Sequence, residues 1–235
     1  MSPVSQTPQV LAFDTFGTVV DWHTGISTAL ARALPDVDAS ELAIAWRARY
    51  APALARVEAG TEPWTGLDVL HERNLVAELT QRDLHLDDAT IRELVLAWHR
   101  LPAWPEVPQA LARLKERFII APLSNGSVAL LTHLAKHAGL PWDLVTGSDL
   151  WGHYKPAPQT YLGLARLLEV EPDEIMMVAA HFPDLDAAQK FGLQTAYIAR
   201  PLEFGPAGND TTPRPEHPLH CTGIDHLADV LLDGH

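Results

Sequence analysis

The sequence predicts an α/β protein, a doubly wound parallel sheet with an inserted helical segment. Three observations carry that prediction. Residues 10–13 form a short apolar run, Val10-Leu11-Ala12-Phe13, that stops at an acid, Asp14. Residues 22–100 carry apolar side chains at helical spacing and no strong strand pattern. From Trp104 onward, apolar runs alternate with helical stretches. Such alternation builds parallel βαβ units.

Taken in order, residues 1–8 are polar and expected to be loose. Residues 10–13 read as a buried strand, and Gly17 lets the chain turn sharply just beyond it. The helical signal then runs through Leu30, Leu34, Leu42, Trp46, Tyr50, Leu54 and Val57. It continues through Leu67, Leu70, Leu75, Leu79, Ile91, Leu94, Val95 and Trp98. Pro35, the stretch 60–63 and Asp87-Asp88 break it into separate helices. The domain plan is therefore a core of residues 1–20 and 101–235, with residues 21–100 as a helical cap inserted after the first strand.

Beyond the cap, helices are expected over 107–117, 128–138, 158–168 and 185–191. Strands are expected over 118–123, 144–145, 175–179 and 195–198. Five prolines between 201 and 220 predict an irregular loop, and residues 224–232 a closing helix.

Composition narrows the function. The chain has 235 residues and a formal charge of −13, which argues against nucleic-acid or anionic-membrane partners. A single cysteine, Cys221, precludes an internal disulfide and fits a reducing compartment. No basic-then-apolar leader opens the sequence, and no apolar run approaches membrane-spanning length. A soluble cytoplasmic protein is expected. The histidines show no metal-ligand spacing with Cys or Glu.

In open α/β sheets, ligands bind beyond the carboxyl ends of the strands. Four such places carry polar residues here. Asp14 ends the first strand, as a nucleophile or as a cap of the following turn. Ser124 and Asn125 follow the second, suited to an anion or to helix capping. Lys155, before Pro156, either pairs with Asp14 or is a solvated loop lysine. His181, Asp184 and Asp186 follow the strand at 175–179, and either acid suits an N-cap.

Order and spacing together resemble the haloacid dehalogenase superfamily over nearly the whole chain. The wording is similar to the L-2-haloacid dehalogenases: Phe13-Asp14-Thr15-Phe16-Gly17-Thr18, Trp46-Arg47, Leu123-Ser124-Asn125-Gly126, and Tyr154-Lys155-Pro156 with Tyr161 beyond. The resemblance implies a Rossmann-like core, a helical cap and cofactor-free hydrolysis of a short 2-halocarboxylate through an ester. Asp14 would displace halide from C2, and water would open the resulting aspartyl ester. It further implies that Lys155 keeps Asp14 charged and that Ser124 holds the substrate carboxylate. Arg47 and Asn125 would take the halide, Thr18 would orient the Asp14 loop, and Tyr161 would line the pocket. A homodimer is common in the family and is expected here.

The superfamily's magnesium-dependent phosphohydrolases resemble Asp-x-Asp at the first strand end, where the second acid protonates the leaving oxygen. Phe16 occupies that position and can donate nothing. A halide needs no such proton, so Phe16 favours carbon–halogen chemistry. The chain departs from the dehalogenases at the fourth strand end. Ala179-Ala180-His181-Phe182-Pro183-Asp184 stands where the family resembles Ser-Ser-Asn and an aromatic before the Asp. His181 is expected to orient water or relay a proton to Asp184, or simply to hold its loop. The alternatives are a phosphohydrolase with an unusual magnesium site and a catalytically silent, ligand-binding member.

Overall fold

The computed structural model describes residues 7–234. The expectation of a loose start therefore lies outside the described residues over 1–6. Five strands form one sheet: β1 (Val10–Phe13), β2 (Ile119–Pro122), β3 (Ile175–Ala179), β4 (Gln194–Ile198) and β5 (His220–Cys221). The order is β2-β1-β3-β4-β5, and every pairing is parallel. Central strands of a parallel sheet are covered on both faces, so they need continuous apolar runs rather than alternating ones. β1 and β3 meet that demand, with every residue buried.

Between β1 and the sheet's next helix lie only helices: α1 (Trp22–Ala33), α2 (Ala39–Ala48), α3 (Tyr50–Glu58), α4 (Leu67–Gln81), α5 (Asp88–Ala97) and a 3-10 turn at Trp98–Arg100. Asp21, Asp38 and Asp87 cap α1, α2 and α5 through their carboxylates. The chains entering and leaving this segment run side by side. Val20 bridges Ala103 antiparallel, and the N–H groups of Asp21 and Trp104 donate to Pro102 O and Val19 O.

The rest of the chain adds α6 (Val107–Lys115), α7 (Val128–Ala138), α8 (Ser148–Trp151), α9 (Pro158–Leu168), α10 (Phe182–Lys190) and α11 (Ile224–Asp233). Leu11 and Phe13 of β1 pack on one side of the sheet, in a core shared with the helical segment and α6, α7 and α11. Val10 and Ala12 pack on the other, against α9 and α10. That split is the period-2 alternation of a strand.

Three expectations are corrected. Residues 144–145 form no strand. Leu123 makes an isolated bridge to Thr146, and Asp143 exchanges backbone and carboxylate bonds with Ile120. Two apolar residues after a proline suffice to lean on the sheet edge, not to extend it. α10 starts at Phe182 rather than 185, because Pro183 in its first turn starts a helix instead of breaking one. The proline-rich region carries a 3-10 turn, Gly205–Ala207, and ends in β5.

Candidate active site

The chain just beyond β1, β2, β3 and β4 delivers side chains to one cavity of about 460 Å³. Asp14 is fixed first: its N–H donates to Val178 O, continuing the β1–β3 pairing by one residue. Its carboxylate does not cap a turn. Lys155 Nζ lies 2.9 Å from Oδ1. The Thr18 hydroxyl donates to Oδ2 at 2.7 Å, and His181 Nδ1 lies 3.1 Å from the same oxygen. Thr18 Oγ1 in turn accepts the Ala180 N–H, which leaves its proton aimed at Asp14.

Lys155 is thus a paired lysine, bonded to both Asp14 and Asp184. Its backbone N–H donates to Asn125 Oδ1 at 2.7 Å, so the second strand end positions the lysine's loop. Ser127, not Ser124 or Asn125, caps α7. Asn125 is therefore released from capping and faces the cavity. Ser124 is buried beside it but is not part of the cavity wall; its oxygen accepts the Gly126 N–H at 3.3 Å.

Asp184 sits in the first turn of α10 and takes the Tyr161 hydroxyl at 2.6 Å as well as Lys155. Asp186 points elsewhere, to His217 Nε2 at 2.9 Å. From α2, Arg47 reaches the cavity with its guanidinium 4.1 Å over the Tyr50 ring and 5.7 Å from Trp22. Its Nε is buried without a hydrogen-bond partner. Phe16 adds an apolar wall.

The charges follow from this packing. Burial opposes ionisation of Asp14, but Lys155 and then His181 overcome it and hold the carboxyl far below the usual range. Burial likewise opposes the Lys155 ammonium, and the two aspartates raise its pKa. Asp184 moves up, from burial first and from Asp14 beside the shared lysine. Burial also opposes the His181 imidazolium, yet its bonds to Asp14 and Glu203 push its pKa up to about 10.

Glu203 is a cavity residue that sequence reasoning missed. It follows β4, is fully buried, and places Oε1 2.8 Å from His181 Nε2. The signal was another acid just past a strand end, hidden in a loop whose prolines suggested no order. Conversely, the His181 ring meets Asp14 and Glu203; its link to Asp184 is through the backbone alone, where the Asp184 N–H donates to His181 O.

A parallel sheet with carboxylates and a buried lysine gathered past its strand ends defines a Rossmann-like α/β protein with its ligand crevice at the carboxyl ends of the strands. The haloacid dehalogenase-like hydrolase family model matches residues 8–192, and the chain belongs to that family. It is 31% identical over 202 residues to (S)-2-haloacid dehalogenase 4A of Burkholderia cepacia, covering 80% of this chain and 81% of that one. It is 25% identical over 191 residues to phosphoglycolate phosphatase of Aquifex aeolicus, covering 80% and 83%. Among solved structures, the defluorinating L-2-haloacid dehalogenase Rha0230 superposes with a TM-score of 0.94 at 43% identity, covering 98% of each chain. The L-2-haloacid dehalogenase PA0810 superposes at 0.91 and 42%, covering 96% of this chain and 100% of that one.

Proposed function

We propose that the protein is an (S)-2-haloacid dehalogenase that hydrolyses short 2-haloalkanoic acids. The observation that carries this is the Asp14–Lys155 pair, with side chains only 10% and 9% exposed, at the wall of a cavity that Phe16 also lines. A desolvated carboxylate, kept ionised by a lysine, is a competent carbon nucleophile when held in line.

Asp14 Oδ1 attacks C2, the carbon–halogen bond breaks, and an aspartyl ester forms. Oδ1 is the attacking atom because Oδ2 already holds Thr18 and His181. Arg47 and Asn125 take the departing halide, and the unpartnered Arg47 Nε supports that role. Lys155 receives the substrate carboxylate, and Ser124, buried outside the cavity wall, would join it only after a local rearrangement. Asp184, held by Tyr161, serves the water that opens the ester. Residues 21–100 act as a cap over the core of residues 1–20 and 101–235, supplying Arg47 and excluding water.

The magnesium phosphohydrolase reading is the weaker one. Phe16 replaces the proton donor that a leaving alcohol requires. Among the described residues, no group of three or more His, Cys, Asp or Glu is placed to hold a metal ion.

A cytoplasmic location fits one buried cysteine, and no described helix is long and apolar enough to cross a membrane. A homodimer is part of the same reading, to be checked by light scattering. Two assays on the purified chain test the activity. One follows chloride or fluoride release from haloacetates and 2-chloropropionate in EDTA; the other follows phosphate release from an aryl phosphate with Mg²⁺. Halide release without phosphate release is expected. The reverse establishes the phosphohydrolase, and silence of a folded protein in both establishes the ligand-binding alternative.

A further inference from the structure

Asp14 Oδ2 faces two donors at once, the Thr18 hydroxyl at 2.7 Å and His181 Nδ1 at 3.1 Å. Oδ1 faces Lys155. Once Oδ1 is alkylated, Oδ2 becomes the carbonyl oxygen of the ester. Water adding to Cγ then drives negative charge onto Oδ2. Donors 2.7–3.1 Å from the oxygen where charge develops are the geometry of an oxyanion hole.

His181 does not stand alone. Its Nε2 lies 2.8 Å from Glu203 Oε1. Glu203 is fixed in turn: the Trp22 indole donates to Oε1 at 3.3 Å, and Asn209 Nδ2 to Oε2 at 3.2 Å. Gly17 makes room for it, since a Cβ there would lie 2.4 Å from Glu203 Oε1. A fully buried carboxylate bonded to an imidazole fixes both the ring's orientation and its charge. The charged groups bonded to His181 are Asp14 and Glu203, with Lys155 and Asp184 in the same cavity.

We propose that His181 and Thr18 form the oxyanion-stabilising pair for opening the Asp14 ester, and that Glu203 is the positioning residue that keeps His181 aimed and protonated. The proposal rests on the dehalogenase reading above. In the step, a water oxygen bonds to Cγ and gives one proton to Asp184, while the carbonyl π pair moves to Oδ2. On collapse the Cγ–Oδ1 bond breaks, and its electron pair leaves on the oxygen of the 2-hydroxy acid, which takes the proton from Asp184. The second water proton departs to solvent as Asp14 regains its charge. His181 remains an imidazolium throughout. Burial opposes that charge, but Asp14 and Glu203 more than offset it in the resting site.

Rapid-quench turnover of 2-chloropropionate by the full chain, with mass analysis of the Asp14 peptide, tests this. Glu203→Gln should retain the single-turnover burst of halide, lose about 10²-fold in kcat and accumulate the ester. The alkaline limb of its kcat profile should move to lower pH, and Glu203→Asp should recover part of the rate. His181→Ala, which removes the donor altogether, should trap the same ester, and it carries the test if Glu203→Gln does not fold. Two results overturn the proposal: variants that turn over like the parent with an unmoved alkaline limb, or a burst slowed in step with kcat. A parent chain that forms no ester and releases no halide overturns the dehalogenase reading and this proposal together.

Discussion

Lys155 Nζ lies within bonding distance of both Asp14 and Asp184, and no other lysine or arginine pairs with either acid among the described residues. One ammonium therefore bridges two buried carboxylates that would otherwise repel each other. Lys155→Met removes that charge and leaves Asp14 to His181 and Thr18, and Asp184 to the Tyr161 hydroxyl alone. Halide release should fall below detection, and denaturant unfolding should show a loss of about 3 kcal/mol.

Among the described residues Arg47 makes no ion pair, and its guanidinium rests 4.1 Å over the Tyr50 ring. Arg47→Lys keeps a charge but loses the planar fork and the stacking. Steady-state halide release should drop about 10²-fold. The thermal midpoint should barely move, because Arg47 Nε makes no hydrogen bond in the folded protein.

Tyr161 is a milder case. Its hydroxyl donates to Asp184 at 2.6 Å from an otherwise fully buried ring. Tyr161→Phe keeps the packing and removes one bond, costing about 1 kcal/mol by chemical denaturation. Asp184, already raised by burial and Asp14, rises further without that donor. The acid limb of the kcat profile should shift to higher pH.

His181 gives stability a pH dependence with a definite sign. Its pKa rises from 6.5 to about 10 on folding, because burial is outweighed by bonds to Asp14 and Glu203. The folded state binds the proton more tightly, so the contribution is complete below pH 6.5 and is lost as pH climbs through about 10. Melting temperature should decline across that window, and His181→Asn should flatten the decline.

Gly17 has φ of +89°, and a Cβ would strike Glu203. Gly17→Ala should destabilise by about 1–3 kcal/mol. In a Glu203→Ala background the clash disappears while the backbone strain stays, so the measured penalty should shrink without vanishing. A double-mutant cycle of unfolding free energies reads the difference.

Most of the site was legible because parallel sheets write it in a simple grammar. A continuous apolar run ends, and a polar side chain within the next few residues faces the ligand crevice. Asp14, Asn125 and Asp184 obey that rule, and Lys155 was exposed by its rarity beside a proline. Glu203 obeys it too, just past Ile198, but neighbouring prolines drew attention to disorder instead of placement. Its partner, His181, lies on a different strand end, and nothing local in either stretch encodes that meeting. The helical segment showed its apolar stripes clearly. The weak points were short ones: two apolar residues at 144–145 mimic a strand, and Pro183 resembles a break until its place in a first turn is known.

The antiparallel contact between Val20 and Ala103 ties the departing and returning chain into one ribbon. The helices from Trp22 to Arg100 are joined to the sheet by covalent connections at that single seam. Any swing of those helices is a rotation about this line. Asp14 lies six residues before that seam and Arg47 on the second helix after it, so a movement of one part against the other changes the distance between the two. On the proposed mechanism, the nucleophile belongs to the sheet side of that seam and the halide-binding cation to the helical side.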